Sequence, residues 1–506
     1  MKKVAIYIVI ITVFSRFLGF GRELTIAYYY GASYISDAYI VSLIIPTVIF
    51  GIIGTGVMSG IIPIYIRIME EKNEDESKNF LSNVLYLFVI ITSFLLILFY
   101  LFKEKILRVF AIGFDENTMA LASNLAEITI FTIYFTVIIS IFTGYLQLKD
   151  KFIIPALLGL IYNIVIITSI VLSYYVNVVM LGYGALIAAF LQMLFILYFA
   201  FKNGFSIKAK LNFYDKYIKA LFIMCIPIMM SQSISQINVI VDKTIASTIS
   251  EGAISAINYA DRVNSLILST VVMTISTLIY PRMSKFAINK DFKSLKNVIT
   301  LTIRIITLIL VPTTVFLLNY SEGITRLIFE RGNFSSKDVN FTSKALLFYS
   351  LGMIFFAYRE ILTKILFSFQ NSKIPLINSL IALFINIILT IYLARQFGIS
   401  GIVLATSLSA LISTIFLYWN VKKLYGEILE NGEFLRFLKV LFISIFSIEL
   451  LQIIKLENII ENTDFYIILT GGCYIFICAL LLILVKEIEI KKISKVLVRD
   501  KTSNNK

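Results

Sequence analysis

The chain has 506 residues, of which 59% are hydrophobic and only 15% charged, against about 45–50% and about 25% in a soluble globular protein. No stretch is polar enough to serve as the surface of a soluble domain, so a string of such domains is excluded. Histidine is absent and the three cysteines, Cys225, Cys473 and Cys478, are scattered, which excludes imidazole chemistry, a zinc site and a disulfide framework.

A bilayer-spanning helix needs about 20 mostly apolar residues, and lipid leaves only helices or closed barrels. The apolar runs here lack the alternation of barrel strands, so they read as helices. Fourteen segments are predicted: 4–29, 35–66, 81–102, 120–147, 153–175, 180–201, 215–246, 252–280, 295–318, 340–367, 374–395, 399–421, 435–454 and 465–486. The first carries Arg16, Arg22 and Glu23 where a cleaved signal peptide would need an apolar core. The second, seventh and tenth exceed one span, which implies tilt or extension into water. Intervening loops are at most about twenty residues, too short for a catalytic domain, so the expectation is a non-enzyme.

Lysine and arginine placement sets orientation. With the N-terminus in the cytoplasm, the even-numbered loops, both termini and the adjoining span ends hold 29 of the 45 basic residues, among them Lys208, Lys210, Lys216, Lys285, Lys290, Lys293 and the tail from Lys491 to Lys506. The opposite side holds eight, including Lys103, Arg326 and Lys455. The formal charge of +14 is therefore mostly a topology signal. Basic residues spread over short loops do not make a nucleic-acid surface.

An internal repeat of about 220 residues is visible. Gly31-Ala32 with Asp37-Ala38 parallels Gly252-Ala253 with Ala260-Asp261, and Pro63 parallels Pro281. Lys151 to Pro155 parallels Lys373 to Pro375, and the run from Gly184 parallels the run from Gly401. Six spans per repeat is an even number, so the halves share one orientation, as in transporters with a site between parallel repeats. The expected organisation is an N-lobe at 1–205, a C-lobe at 206–425, accessory helices at 426–490 and a basic cytoplasmic tail at 491–506.

Charges inside a bilayer cost at least about 2.5–3.5 kcal/mol each and need a partner, water or a ligand. They concentrate in the first span (Arg16, Arg22, Glu23), the seventh (Asp242, Lys243), the eighth (Asp261, Arg262), the ninth (Arg304) and the tenth (Lys344, Arg359, Glu360, Lys364). Repeat geometry directs the first, second, seventh and eighth spans toward the groove between halves, where Arg16, Arg22 and Arg262 would meet. Guanidinium groups match phosphate oxygens bidentately, so the groove suits a diphosphate. Internal pairing is the competing reading, with Glu23 neutralising Arg16 at i, i+7 and Asp261 a nearby arginine. Arg359 and Glu360 form a gate or an interhelical pair. Asp242, Asn386, Thr390 and Thr406 are hard oxygen donors suited in type to sodium, or polar residues bonding between helices.

Ser15-Arg16-Phe17-Leu18-Gly19-Phe20-Gly21-Arg22-Glu23, followed by Gly31, Asp37-Ala38 and Pro46, resembles the N-terminal signature of the MurJ (MviN) lipid II flippase family of the multidrug/oligosaccharidyl-lipid/polysaccharide exporter superfamily. The resemblance continues at Asn258-Tyr259-Ala260-Asp261-Arg262, at Tyr280 to Ser284, at Arg359-Glu360-Ile361-Leu362, and from Phe367 to Lys373 with Pro375. It implies a flippase that moves an undecaprenyl-diphosphate-linked peptidoglycan precursor from the inner to the outer leaflet. It assigns Arg16, Arg22 and Arg262 to a cationic cavity and Asp37 to an acid near the outer end of the second span. It makes Asp242, Asn386, Thr390 and Thr406 counterparts of a sodium site found in some members. The chain departs from the pattern after Pro46, where Thr47 replaces asparagine, Phe50 stands at an arginine position, and Thr55 stands at an acidic one. Arg304 and Lys243 are candidates to compensate, and a different headgroup is the alternative.

The sequence-level expectation is thus an all-α polytopic membrane protein of about 14 transmembrane helices, two pseudo-symmetric six-helix lobes and two C-terminal helices. It would sit in the bacterial inner membrane as a monomer with both termini cytoplasmic. Its partners would be lipid II, or a related polyprenyl-diphosphate-linked glycan, and membrane lipids. No cofactor is expected beyond Na+ as a coupling ion. A polysaccharide-lipid flippase is the alternative. A cation-coupled drug exporter fits less well, because its cavity would need acids rather than arginines.

Overall fold

The computed structural model describes residues 2–207, 212, 215–454, 463–485 and 487. The tail from Lys491 to Lys506, together with Lys208, Lys210 and Lys455, lies outside the described residues, as does the side chain of Thr55. The described chain is helical: α1 (Lys2–Tyr30), α2 (Tyr34–Glu71), α3 (Glu74–Phe110), α4 (Glu116–Thr129), α5 (Thr132–Leu148), α6 (Ile153–Tyr175), α7 (Met180–Lys202), α8 (Lys216–Ser247), α9 (Ala253–Leu268), α10 (Thr274–Ile288), α11 (Phe292–Phe329), α12 (Ser336–Ser368), α13 (Lys373–Phe397), α14 (Ile399–Tyr425), α15 (Glu433–Ile454) and α16 (Thr463–Leu484).

Starts and stops follow local chemistry. The side chains of Asn73, Asp115, Asp215 and Asp291 accept backbone N–H groups in the first turns of α3, α4, α8 and α11, satisfying donors a helix cannot pair internally. Gly398 and Gly426 end α13 and α14 at φ of 58° and 79°, where a side chain would be strained.

Two predicted spans are interrupted. The segment 120–147 is two helices, α4 and α5, with a break at residues 130–131. The segment 252–280 is α9 and α10 separated by a π turn at Ser269–Met273. Among the described residues, eleven helical segments are long and apolar enough to cross a membrane, against the fourteen expected. At 16 and 15 residues, α9 and α10 are each too short alone. The other two predicted spans fall on α1 and α15, both of which border residues outside the described ones.

The repeat reappears in the backbone. Non-helical φ/ψ occurs inside α3 at Phe102 and inside α11 at Tyr320. Positive φ recurs at Gly31 and Gly252, at Asp150 and Gln370, and at Gly204 and Gly426, each pair about 220 residues apart. Asp150 and Gln370 share a left-handed conformation without sharing a residue type, so the turn geometry is retained where sequence identity is not.

Packing divides the chain into two compact units, one of residues 1–259 with 331–338 and one of 260–330 with 339–506. Sequence symmetry cuts at 205 instead, whereas α8 packs along α2 and so falls with α1–α7. In the first unit α2 is central and touches α3, α4, α5 and α8, while α1 packs on α6 and α6 on α7. The buried Cys225 thiol donates to the Gly56 carbonyl at 3.1 Å, in keeping with a filler at a helix contact.

In the second unit α13 packs on α14, and α11 packs on α10, α15 and α16. Hydroxyl groups bond helices to α12: Thr314 of α11 reaches the Ser350 carbonyl at 3.3 Å, and Ser407 and Thr414 of α14 reach those of Phe348 and Phe355 at 2.7 and 2.8 Å. Such contacts take the place of a hydrophobic drive that lipid does not supply. The accessory helices seal onto α11 through Val315, Ile448, Leu451 and Tyr474, and the Tyr474 hydroxyl donates to the Pro312 carbonyl at 3.0 Å.

Candidate functional site

In the first unit, α1 places two adjacent charges in its C-terminal half. Arg22 donates to Glu23 at 2.6 Å, with side chains 20% and 7% exposed. A buried carboxylate this well paired is tolerable, whereas either partner alone would be costly. The second Glu23 oxygen accepts from Asn258 at 3.1 Å, so the acid is held from two sides. A guanidinium carries five N–H donors, and the bond to Glu23 leaves donors for another anion. The Arg22 guanidinium also lies 5.7 Å from the centroid of the Tyr162 ring on α6. Arg16, on the same helix, is half-buried.

Asp37, in the first turn of α2 and fully buried, has a different task. One oxygen accepts from Gly252 N at 2.8 Å, and the other from Ser255 N at 2.8 Å and Ser255 Oγ at 2.5 Å. The carboxylate therefore caps the N-terminus of α9 from another helix, where orphan N–H groups and the helix dipole favour an anion. The approach requires Gly252, which has a φ of +81° and whose Cβ, if it had one, would lie 2.1 Å from the Ala32 carbonyl oxygen. Around this cap Tyr259 OH donates to the Gly31 carbonyl at 3.0 Å. Asn333 donates to the carbonyls of Tyr28 (2.8 Å, backbone) and Tyr29 (2.7 Å, side chain). The α1–α2 turn, the α8–α9 turn and residues 331–335 are thus laced together, mostly by side chains bonding main-chain groups. Lys243 of α8 donates to the Ile254 carbonyl at 3.4 Å beside them.

In the second unit Arg262 is exposed, and Asp261 accepts from Ser265 at 3.2 Å. Arg359 lies over the Phe356 ring at 5.0 Å, and the ion pair of Glu360 is with Lys364 at 3.2 Å. Asn386 donates to Thr406 Oγ1 at 3.2 Å, and Thr390 donates to Asn386 Oδ1 at 3.4 Å, so these three oxygen-bearing side chains of α13 and α14 form one network. Asp242 lies on α8, in the first unit. No group of three or more acids or cysteines placed to hold a metal occurs among the described residues.

Arg304 does not serve as a spare cavity cation. It binds Glu433 at 2.8 Å and Glu430 at 2.6 Å, and Glu433 is also held by Arg436, which pairs in turn with Glu487. These residues tie α11 to the start of α15 and to the segment after α16. Phe50, at the position where an arginine was expected, lays its ring against Gly54 on the next turn of α2, where a Cβ would come within 2.2 Å of the ring.

Sequence reasoning missed three contributors: Tyr162, Ser255 and the Gly252 N–H. Tyr162 carries no charge to draw notice inside an apolar helix. Gly252 was visible as half of a repeat, but its role as a donor depends on tertiary contact.

Residues 26–469 match the family model described as "Lipid II flippase MurJ". A lipid II flippase MurJ from Thermosipho africanus is 31% identical over 463 residues, covering 91% of each chain. A probable lipid II flippase MurJ from Buchnera aphidicola is 28% identical over 490 residues, covering 92% of this chain and 94% of that protein. Among solved structures, "Lipid II flippase MurJ, inward closed conformation" superposes with a TM-score of 0.83 at 30% identity, over 95% of this chain and 99% of that one. A multidrug resistance MATE family transporter of the MOP superfamily, in its inward-facing conformation, shares the fold with a TM-score of 0.69 at 14% identity.

Proposed function

The chain belongs to the MurJ lipid II flippase family, and we propose on that premise that it carries lipid II from the inner to the outer leaflet by binding the diphosphate through Arg16, Arg22 and Arg262. The observation that carries the reading is the Arg22–Glu23–Asn258 arrangement: an arginine anchored at one point by a buried acid, with donors left for a phosphate. In this cycle the headgroup enters a cationic cavity between the repeat lobes at 1–205 and 206–425, the lobes rock, and the polyprenyl tail stays in lipid. The helices α15 and α16 would supply a groove for that tail. The bonds around Asp37 serve as a lock on one end of the path, because breaking them frees the α9 N-terminus. No covalent chemistry is involved, and a monomer in the bacterial inner membrane with both termini cytoplasmic suffices.

Sodium as a coupling ion fits the donor chemistry of Asp242, Asn386, Thr390 and Thr406, all of them hard oxygen donors. The ion would contribute charge compensation only, and replacing sodium by choline in a transport assay tests it.

The deciding experiment is lipid II translocation in reconstituted vesicles. Arg22→Ala and Arg262→Ala should each lower the rate by at least about tenfold, the scale of losing one desolvated, charge-assisted contact. Unchanged transport in both variants refutes the arginine mechanism. Phe50 favours one second reading, since it places an aromatic ring where an arginine was expected: the headgroup would be another diphosphate-linked oligosaccharide. Failure to rescue cells depleted of their lipid II flippase, with rescue of a polysaccharide-lipid flippase mutant, would select that reading.

A further inference from the structure

The contacts between α1 and α6 set a register that reaches the binding arginine. Gly159 faces Ser15, where an added Cβ would lie 2.2 Å from the serine oxygen, and Gly19 faces Asn163, with its would-be Cβ 3.6 Å from that amide. Asn163 donates to the Ser15 carbonyl at 3.1 Å, and Tyr30 OH bonds Ser173 at 2.8 Å. All these pairs are offset by nearly the same number of residues, so the two helices run parallel in fixed register, drawn close at the two glycines. Helical side chains slant toward the N-terminus and cover the turn before their own Cα. The Arg22 side chain therefore reaches back to the level of residue 18, and the register places Tyr162 opposite that level. The guanidinium meets the ring there at 5.7 Å, within the distance at which a ring face attracts a cation.

We propose that Tyr162 is a positioning residue for Arg22: its ring and Glu23 hold the guanidinium from two directions, and the donors left over are aimed at the diphosphate. The proposal rests on the reading that Arg22 binds that diphosphate. Glu23 alone would leave the guanidinium free to swing about its single bond to the acid. The ring restricts the swing without using an N–H donor, which a second acid would consume. The chemistry proposed is that of the aromatic face, which phenylalanine keeps.

The test is binding of a polyprenyl diphosphate to the full-length protein in detergent, measured for Tyr162→Phe, Tyr162→Leu, Arg22→Ala and the Arg22→Ala/Tyr162→Leu pair. Tyr162→Phe should bind within about twofold of wild type, whereas Tyr162→Leu should bind about 5- to 30-fold more weakly, the range for a partly desolvated cation–π contact. In the double variant Tyr162→Leu should add nothing to the loss from Arg22→Ala, because coupled residues are non-additive. A ring that merely packs the α1–α6 contact would show its effect equally in both backgrounds, and that result overturns the proposal. Loss of binding in Arg22→Ala with none in Tyr162→Leu overturns it while leaving the diphosphate reading intact. Unchanged binding in Arg22→Ala overturns that reading and the proposal together. Should Tyr162→Leu not fold, Tyr162→Met fills the gap flexibly and carries the same expectations.

Discussion

Replacing Asp37 by alanine removes the acceptor for three donors at once. Gly252 N, Ser255 N and Ser255 Oγ all bond the carboxylate within 2.8 Å, and the site is buried. Bonds to a charged acceptor contribute about 1.5–3 kcal/mol each, and the helix dipole adds up to about 2 kcal/mol in a partly buried setting. Relaxation recovers part of the sum, and breaking a buried charged interaction costs about 3–5 kcal/mol in practice. That loss falls on local opening of the first turn of α9, which amide hydrogen exchange reads directly. At about 1.4 kcal/mol per tenfold, peptides covering residues 252–256 should exchange roughly a hundredfold to a few thousandfold faster in Asp37→Ala. Asp37→Asn, which keeps one carbonyl oxygen but loses the charge, should fall between wild type and alanine. Ser255→Ala gives up one hydroxyl donor and should change exchange by no more than about tenfold. Exchange in Asp37→Ala within about twofold of wild type would refute the cap as the feature that holds this turn.

Two glycines form a matched test of backbone strain, read as thermal unfolding in detergent. Both have positive φ, but an added Cβ at Gly252 meets the Ala32 carbonyl oxygen while at Gly204 it meets nothing within 4 Å; Gly204→Ala should cost about 1–2 kcal/mol and Gly252→Ala clearly more. Arg304→Ala leaves Glu433, 9% exposed, with Arg436 at 3.2 Å as its remaining partner. The loss should be about 1–3 kcal/mol, and the Arg304→Ala/Glu433→Ala pair should lose less than the sum of the singles. The carboxyls of Asp115 and Asp291 are held below the usual carboxylate range, foremost by hydrogen bonds from Thr118 and Ser294. A depressed folded pKa stabilises above the unfolded value and loses that effect as pH falls through the folded one. The two caps should therefore add constant stability from pH 8 to 5 and fade below about pH 4, and Asp115→Asn should flatten that acid limb of the melting curve.

Helix positions were legible from the length of each apolar run even where no capping side chain marks the end: the segment 153–175 coincides with α6, which is flanked by Phe152 and Val176. The breaks at 130–131 and 269–273 were not, because both lie inside continuous apolar sequence, where hydropathy is blind to hydrogen-bond register. Charges inside spans were legible as exceptional, but their partners were not. The sequence places Arg304 inside the ninth predicted span, and α11, which begins at Phe292, carries it about three turns in, where it meets Glu433 at the start of α15. Glu23 bonds its immediate neighbour Arg22, a pairing that helical face-matching does not anticipate, since adjacent side chains diverge by about 100°. Tyr162 was invisible for a simpler reason: its role follows from the α1–α6 register, which two glycines set across helices more than a hundred residues apart.

The cap on α9 also constrains how the chain is made. Asp37 and Ser255 are 218 residues apart in sequence, so the carboxylate is synthesised long before any of its three donors exists. Until α8 and α9 follow, the Asp37 carboxylate, in the first turn of α2, has none of these donors and needs water in their place. The start of α2 must therefore stay at the water interface, or hold its proton, while the intervening helices insert. Its final descent into the protein is a late step of assembly, made when the second turn arrives to meet the first. A variant defective at Gly252 would then leave Asp37 short of a donor, so the fault would show at residue 37 although the change lies far downstream.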